Sequence, residues 1–212
     1  MQVVSRTRSY AATAKPKPSP KEPEQGSKEI SFTDRSFYGF GASRYNPDDL
    51  VGQKGLGIYS KMAKDEQVKA ALSAKIFAVL SSGYEIQEPV LEEGEEDIAQ
   101  ELKDFVEFNF EEMAGSFDGK LIELMSALTF GFACGELLWW QIDYGPFKGK
   151  WGLKDIKFRR PESFQFDLDA HGNLAEDGIW QAGVKMPKSK FLLYSYQKKF
   201  GNVWGESDLR NS

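Results

Sequence analysis

The single histidine, His171, and the single cysteine, Cys134, would have to carry any imidazole or thiolate chemistry in this 212-residue chain. One of each cannot build a familiar four-ligand Cys/His zinc site. Cys134 lies inside an apolar run and reads as a small buried residue; alone, it cannot form a disulfide within the chain. That cysteine usage fits a reducing compartment. Asp167-x-Asp169-x-His171-Gly172 has the look of a calcium loop with glycine at its sixth position. The twelfth position would be Gly178, where a bidentate carboxylate is needed. A hairpin turn in which Gly172-Asn173 supplies positive φ accounts for the same residues. Gly205-Glu206-Ser207 is not a nucleophile elbow, because Leu209 stands where the second glycine belongs. No glycine-rich loop followed by Lys-Ser/Thr is present, so no P-loop is expected. Carboxylate pairs such as Glu92-Glu93 and Glu95-Glu96 read as solvated faces. The chain is therefore expected not to be an enzyme, and to hold no cofactor and no metal.

Other residues suit contact better than catalysis. Trp139 and Trp140 are neighbours in a strand pattern, so they must face opposite sides. One is expected in the core, the other under a helix layer or at a subunit contact. Arg159-Arg160, ahead of Pro161, suits a phosphate, a neighbour's carboxylate or a salt-bridged surface pair. Phe37, Tyr38, Phe40 and Tyr45 alternate with glycines in a segment too aromatic for pure disorder. Unless they dock on the body or on a neighbour, they would form an exposed apolar patch. A ring built by repeating one heterologous contact needs two different complementary patches per subunit. The outer tryptophan, the early aromatic segment and the arginine pair are the candidates.

The elements that position these residues follow from periodicity. Residues 1–30 are rich in Ala, Lys, Pro, Ser and Glu and read as a disordered arm, basic up to Lys21. The arm is an unconstrained tail or a loose contact with a neighbouring subunit or nucleic acid. Residues 31–58 read as an irregular aromatic and glycine-rich segment, and 59–212 as an α+β domain. A helix is predicted from Lys64 to Ser82, with Val68, Leu72, Ile76, Val79 and Leu80 on one face and Asp65 at its N-terminus. Gly83 ends it, and Tyr84-Glu85-Ile86 reads as a short extended piece. An acidic connection spans 90–94. A second helix is predicted from about Glu95 to Met113, striped by Ile98, Leu102, Phe105, Val106, Asn109 and Met113. A third runs from Phe117 or Asp118 to Phe132. Strands are predicted at 135–144, 152–158, 163–168, 178–183 and 191–196, spaced for one antiparallel meander. Helices and strands in separate runs indicate α+β, a helical layer on an antiparallel sheet, and not βαβ alternation.

The net charge of −5 gives no sign of tight binding to a polyanion. Leu121 to Ile142 has the length of a membrane span, but Glu123 and Glu136 lie inside it and no span is expected. Gly205 to Arg210 reads as a helix N-terminus, with Ser207 and Asp208 as caps. Two residues follow, and an isolated helix shorter than about twelve residues is unstable.

Three ordered blocks carry a resemblance to bacteriophage portal proteins, specifically the Mu-like portal family. The first is Tyr59-Ser60-Lys61-Met62 with Asp65 to Ile86, including Val68, Ala71-Leu72 and Ala78-Val79-Leu80-Ser81. The second is Met125 to Trp140, with Phe130-Gly131-Phe132-Ala133 and Glu136-Leu137-Leu138-Trp139. The third is Arg160-Pro161 with Phe164-Gln165-Phe166-Asp167, then Phe191 onward to Gly205-Glu206-Ser207 and Leu209-Arg210. The set covers about residues 58 to 210. The resemblance implies a subunit of a ring, usually of twelve, at one capsid vertex of the virion, assembled in the host cytoplasm. Its implied partners are other portal subunits, terminase, capsid and head-completion proteins. Double-stranded DNA would pass through the ring during packaging and ejection without sequence-specific binding. The region present corresponds to the peripheral wing, with Gly205, Glu206, Ser207, Leu209 and Arg210 at the start of a stem helix that a truncated or split chain would lack. A stand-alone α+β protein-interaction module is the alternative.

Overall fold

Capping places the first helices. In the computed structural model, which describes residues 46–89, 96–169 and 171–211, the Asp48 carboxylate accepts the N–H groups of Leu50 and Val51 and starts α1, Asp49–Lys54. Helix α2 follows at Gly57–Met62. Two short helices thus begin inside the stretch read as irregular to residue 58; residues 31–45 lie outside the described residues. Asp65 caps α3, Glu66–Leu80, through the N–H groups of Gln67 and Val68 at 3.0 and 3.2 Å. Gly83, at φ +65°, follows as expected, and Tyr84–Ile86 after it belongs to no helix or strand. Of the apolar stripe of α3 only Leu72 is buried, while Val79 and the neighbouring Phe77 are exposed.

Helix α4 spans Glu96–Glu112, close to the predicted limits. The acidic connection at 90–94 falls outside the described residues. The third predicted helix is two. Ser116 caps α5, Phe117–Leu124, and a break at Met125-Ser126 precedes α6, Ala127–Phe130. Serine competes for backbone partners inside helices, which favours a break there. Gly131 closes α6 in the left-handed region at φ +87° and donates to the Ala127 carbonyl at 2.7 Å. A side chain at Gly131 would meet the Trp204 carbonyl oxygen at 2.5 Å.

Phe132 is already strand. β1 runs Phe132–Gln141, three residues earlier than predicted, and β2 is Trp151–Phe158. The expected single meander is instead two three-stranded antiparallel sheets. β3 (Phe164–Leu168), β4 (Leu174–Gln181) and β5 (Val184–Met186) form one, while β6 (Phe191–Ser195) returns to pair with β1, giving β2-β1-β6. Ala182 and Gly183, both at positive φ, form the β4–β5 turn that had been read as strand.

The reason for the return is the core between the sheets. Phe132, Cys134 and Phe191 pack with Phe164, Phe166 and Ile179, and Val203 and Trp204 join them. The Phe132 and Phe166 rings meet edge to face at 5.2 Å. A second core gathers Tyr59, Leu72, Leu128 and Leu209 under the helices. The architecture is α+β, helices plus two small antiparallel sheets.

Candidate subunit interface

Register divides the β2-β1-β6 sheet into two faces, because directly paired residues share a side and alternate residues follow it. Phe132, Cys134 and Trp140 share one face with Gly152, Asp155 and Phe191. That face is covered. Asn109 of α4 lies over Gly152, Lys120 of α5 bridges Asp155 at 2.6 Å, and the inter-sheet core fills the rest.

The other face carries Ala133, Leu137 and Trp139 on β1, Trp151, Leu153, Ile156 and Phe158 on β2, and Leu192 and Tyr194 on β6. Gly135 sits among them without a side chain; a Cβ there would meet Ile156 Cγ2 at 2.8 Å and the Phe158 ring at 3.1 Å. Those large neighbours crowd Gly135, and at this end of the face Ala133 and Ile156 are themselves buried. Near the β1–β2 hairpin the face opens: Trp139 is 54% and Trp151 65% exposed, and Leu192 and Tyr194 are also exposed. A β-bulge between Leu138 and Trp139, with Lys154 as the additional residue on β2, brings Trp139 opposite Leu153 and keeps both tryptophans on this side. Two large aromatic side chains left exposed side by side on one sheet face mark a candidate contact site.

Trp139 therefore points outward. Trp140 takes the inner side but is only half-buried, 5.8 Å from the Tyr144 ring, so neither tryptophan is the core residue expected of one. Arg159 and Arg160 are exposed where β2 ends. The Arg159 N–H extends the ladder to the Cys134 carbonyl at 3.3 Å. Among the described residues no ion pair joins either guanidinium to a carboxylate. Phe37, Tyr38, Phe40 and Tyr45 lie outside the described residues. Trp151 escaped the sequence reading because the strand had been started one residue later; the alternation Trp151-x-Leu153 was its signal.

The residues from Gly205 to Arg210 form a clasp on the helical layer. Its second half enters a single 3-10 turn, Asp208–Asn211. Ser207 Oγ donates to the Thr129 carbonyl at 2.6 Å and accepts the Leu209 N–H at 3.1 Å. Leu209 is buried against Tyr59, Leu72 and Leu128. Arg210 bridges Asp48 and Asp49, Lys75 meets Asp208 at 2.5 Å, and Lys199 meets Glu206 at 2.7 Å. Tyr59 donates to Asp48 from a buried site. Burial, then the bond to Asp48, raises the Tyr59 hydroxyl well above the ordinary tyrosine range. The proton is thus held in the folded chain and released in the unfolded one as pH passes about 10. Stability is expected to fall from that pH upward, by at most about 1.4 kcal/mol per pH unit. Tyr59→Phe should flatten this alkaline limb in urea titrations at pH 8 to 11, and an unchanged limb would contradict the assignment.

The remaining chemical candidates are occupied structurally. Burial pushes the Cys134 thiol up to about 12, which leaves it protonated at neutral pH. Although desolvation works against it, backbone N–H groups of Asn173 and His171 hold the Asp169 carboxyl below its ordinary range. The Asp169 carboxylate accepts the His171 and Asn173 N–H groups at 2.8 and 2.9 Å, as a turn requires. Among the described residues no group of three or more His, Cys, Asp or Glu is placed to hold a metal ion, and no helix is long and apolar enough to cross a membrane.

One family model, described as "Portal protein of Mu bacteriophage", matches residues 56–212, well over half of the chain. No individual curated protein matches it.

Proposed function

The chain belongs to the family of Mu bacteriophage portal proteins, and from that premise we propose that it acts as the wing of a portal subunit in a ring at one vertex of the phage head. Its work is mechanical. The body supplies lateral contacts and a rigid outer scaffold while DNA is packaged and ejected through the ring, with no sequence-specific hold on the DNA. Twelve copies, terminase, capsid and head-completion proteins are the partners this reading implies, with assembly in the host cytoplasm.

One observation carries the contact role: the outward sheet face with Trp139 and Trp151 more than half exposed. Such rings repeat one heterologous contact, so each copy must offer an apolar surface beyond its own core. The clasp at 205–210 supports the scaffold role, because it ties the chain beyond β6 to α1, α3 and α6 through backbone and ionic contacts.

Immunogold labelling of purified phage heads tests the assignment. Label at one vertex per head is the expected result. Label spread over the shell, or none on heads, would contradict it.

A further inference from the structure

We propose that helix α4 of a second copy of this chain covers the outward face of the β2-β1-β6 sheet. The inference rests on the portal reading, which requires a neighbouring copy, and it names the two surfaces that meet.

Helix α4 is held to its own chain along one side, where Ala99 is buried, Lys150 bridges Glu101 and the C-terminal half binds the β2 backbone. Asn109 Oδ1 accepts the Leu153 N–H at 2.5 Å, and Ala114, just past the helix, donates to the Lys154 carbonyl at 2.9 Å. Away from those contacts, Ile98, Leu102 and Val106 recur at every fourth residue and all three are exposed. Such an i, i+4, i+8 stripe is a face made for packing. A helix on a sheet is one of the few arrangements that buries both apolar surfaces.

The two surfaces also lie on opposite sides. α4 stands over the Gly152 side of the sheet, whereas Trp139 and Trp151 project from the other. One copy can therefore offer its helix to the next copy's sheet, head to tail, and the relation can repeat around a ring.

Charge chooses this pairing over its alternatives. Asp97, Asp104 and Glu107 border the helix stripe against a single Lys103, while Glu101 is paired with Lys150 of its own chain; Lys148, Lys154, Arg159 and Arg160 outnumber Asp143 and Glu162 along and beside β2. Two helices meeting each other, or two sheet faces, would set like charges together. An acidic helix against a basic rim is attractive and orients the encounter.

Disulfide mapping tests the contact. Cys134 is buried and its thiol protonated, so introduced cysteines report alone. Gln141 is exposed on the outward face, paired with Trp151, and Leu102 is the centre of the stripe. A mixture of Gln141→Cys and Leu102→Cys chains should yield a covalent dimer under mild oxidation, and the double variant a ladder. Ile98→Cys serves as a second helix position. Asp104→Lys with Glu107→Lys should lower the yield about two- to five-fold for each charge reversed, and Lys154→Glu with Arg159→Glu in the other chain should restore it. Linkage of Gln141→Cys chains to one another overturns the pairing in favour of sheet on sheet. Association of the wild type without any 102–141 linkage overturns this pairing and leaves the portal reading standing. A wild type that stays monomeric at every concentration removes both the pairing and the lateral contact. Duplex DNA bound by the wild type, lost in Lys154→Glu with Arg159→Glu, and no cross-link, would assign the rim to nucleic acid and overturn the proposal.

Discussion

Trp139→Asp combined with Trp151→Asp is expected to abolish self-association and leave the fold standing. Both side chains are more than half exposed in the single chain, so little intramolecular burial is lost. Surface substitutions of this kind move stability by about 0.5 kcal/mol each. At an interface the same residues would be central aromatic anchors, and losing one such anchor costs about 2–4 kcal/mol. That corresponds to roughly 30- to 1000-fold weaker association per residue. Light scattering after size exclusion should show only single chains, while the thermal midpoint stays near that of the wild type. A variant that melts far earlier would place these tryptophans in the fold's own core. A variant that associates as before would remove the sheet face from the interface.

Gly205→Ala should be the most damaging conservative change in the described structure. Gly205 sits at φ +61°, a conformation that costs an L-residue about 1–2 kcal/mol. It is also trapped between Gly131 and Tyr196. Tyr196 donates to the Gly131 carbonyl at 2.7 Å, and Glu206 donates to the Tyr196 carbonyl at 2.9 Å. A methyl group at 205 would run into the Gly131 and Tyr196 carbonyl oxygens and come within 2.9 Å of the Tyr196 nitrogen. Backbone cannot swing aside like a side-chain tip, so overpacking adds about 1–3 kcal/mol. The sum predicts a loss of about 2–5 kcal/mol. Gly149→Ala is the control: it shares the positive φ, at +90°, but its Cβ would meet open space. It should lose only the conformational part. Equal urea midpoints for the two variants would refute the wedged geometry of the clasp.

Much of this fold is legible in the residues. The Asp65 cap and the four-residue apolar spacing mark α3, and strands β2, β3 and β6 lie within about one residue of their predicted limits. Local signals suffice where a helix or strand is closed by its own caps and turns. The break at Met125-Ser126 and the return of β6 to β1 were not legible, because both are decided by distant partners. Phe191 reaches Phe164 across the inter-sheet core, and Gly131 must make room for Trp204. The interface was half legible. Adjacency showed that Trp139 and Trp140 face opposite ways. It did not show that the inner one stops short of the core. The stripe Ile98, Leu102 and Val106 looked like ordinary core in the sequence. Periodicity reveals which face of a helix is apolar, not whether anything covers it.

The central claim is that this body exists to be held by copies of itself through an apolar sheet face. Sedimentation equilibrium of the wild-type chain over a wide concentration range tests it most directly. The weight-average mass is predicted to rise with concentration above that of one chain and to stay at one chain when Trp139 and Trp151 are aspartates. A wild-type mass fixed at a single chain at every concentration would contradict the claim.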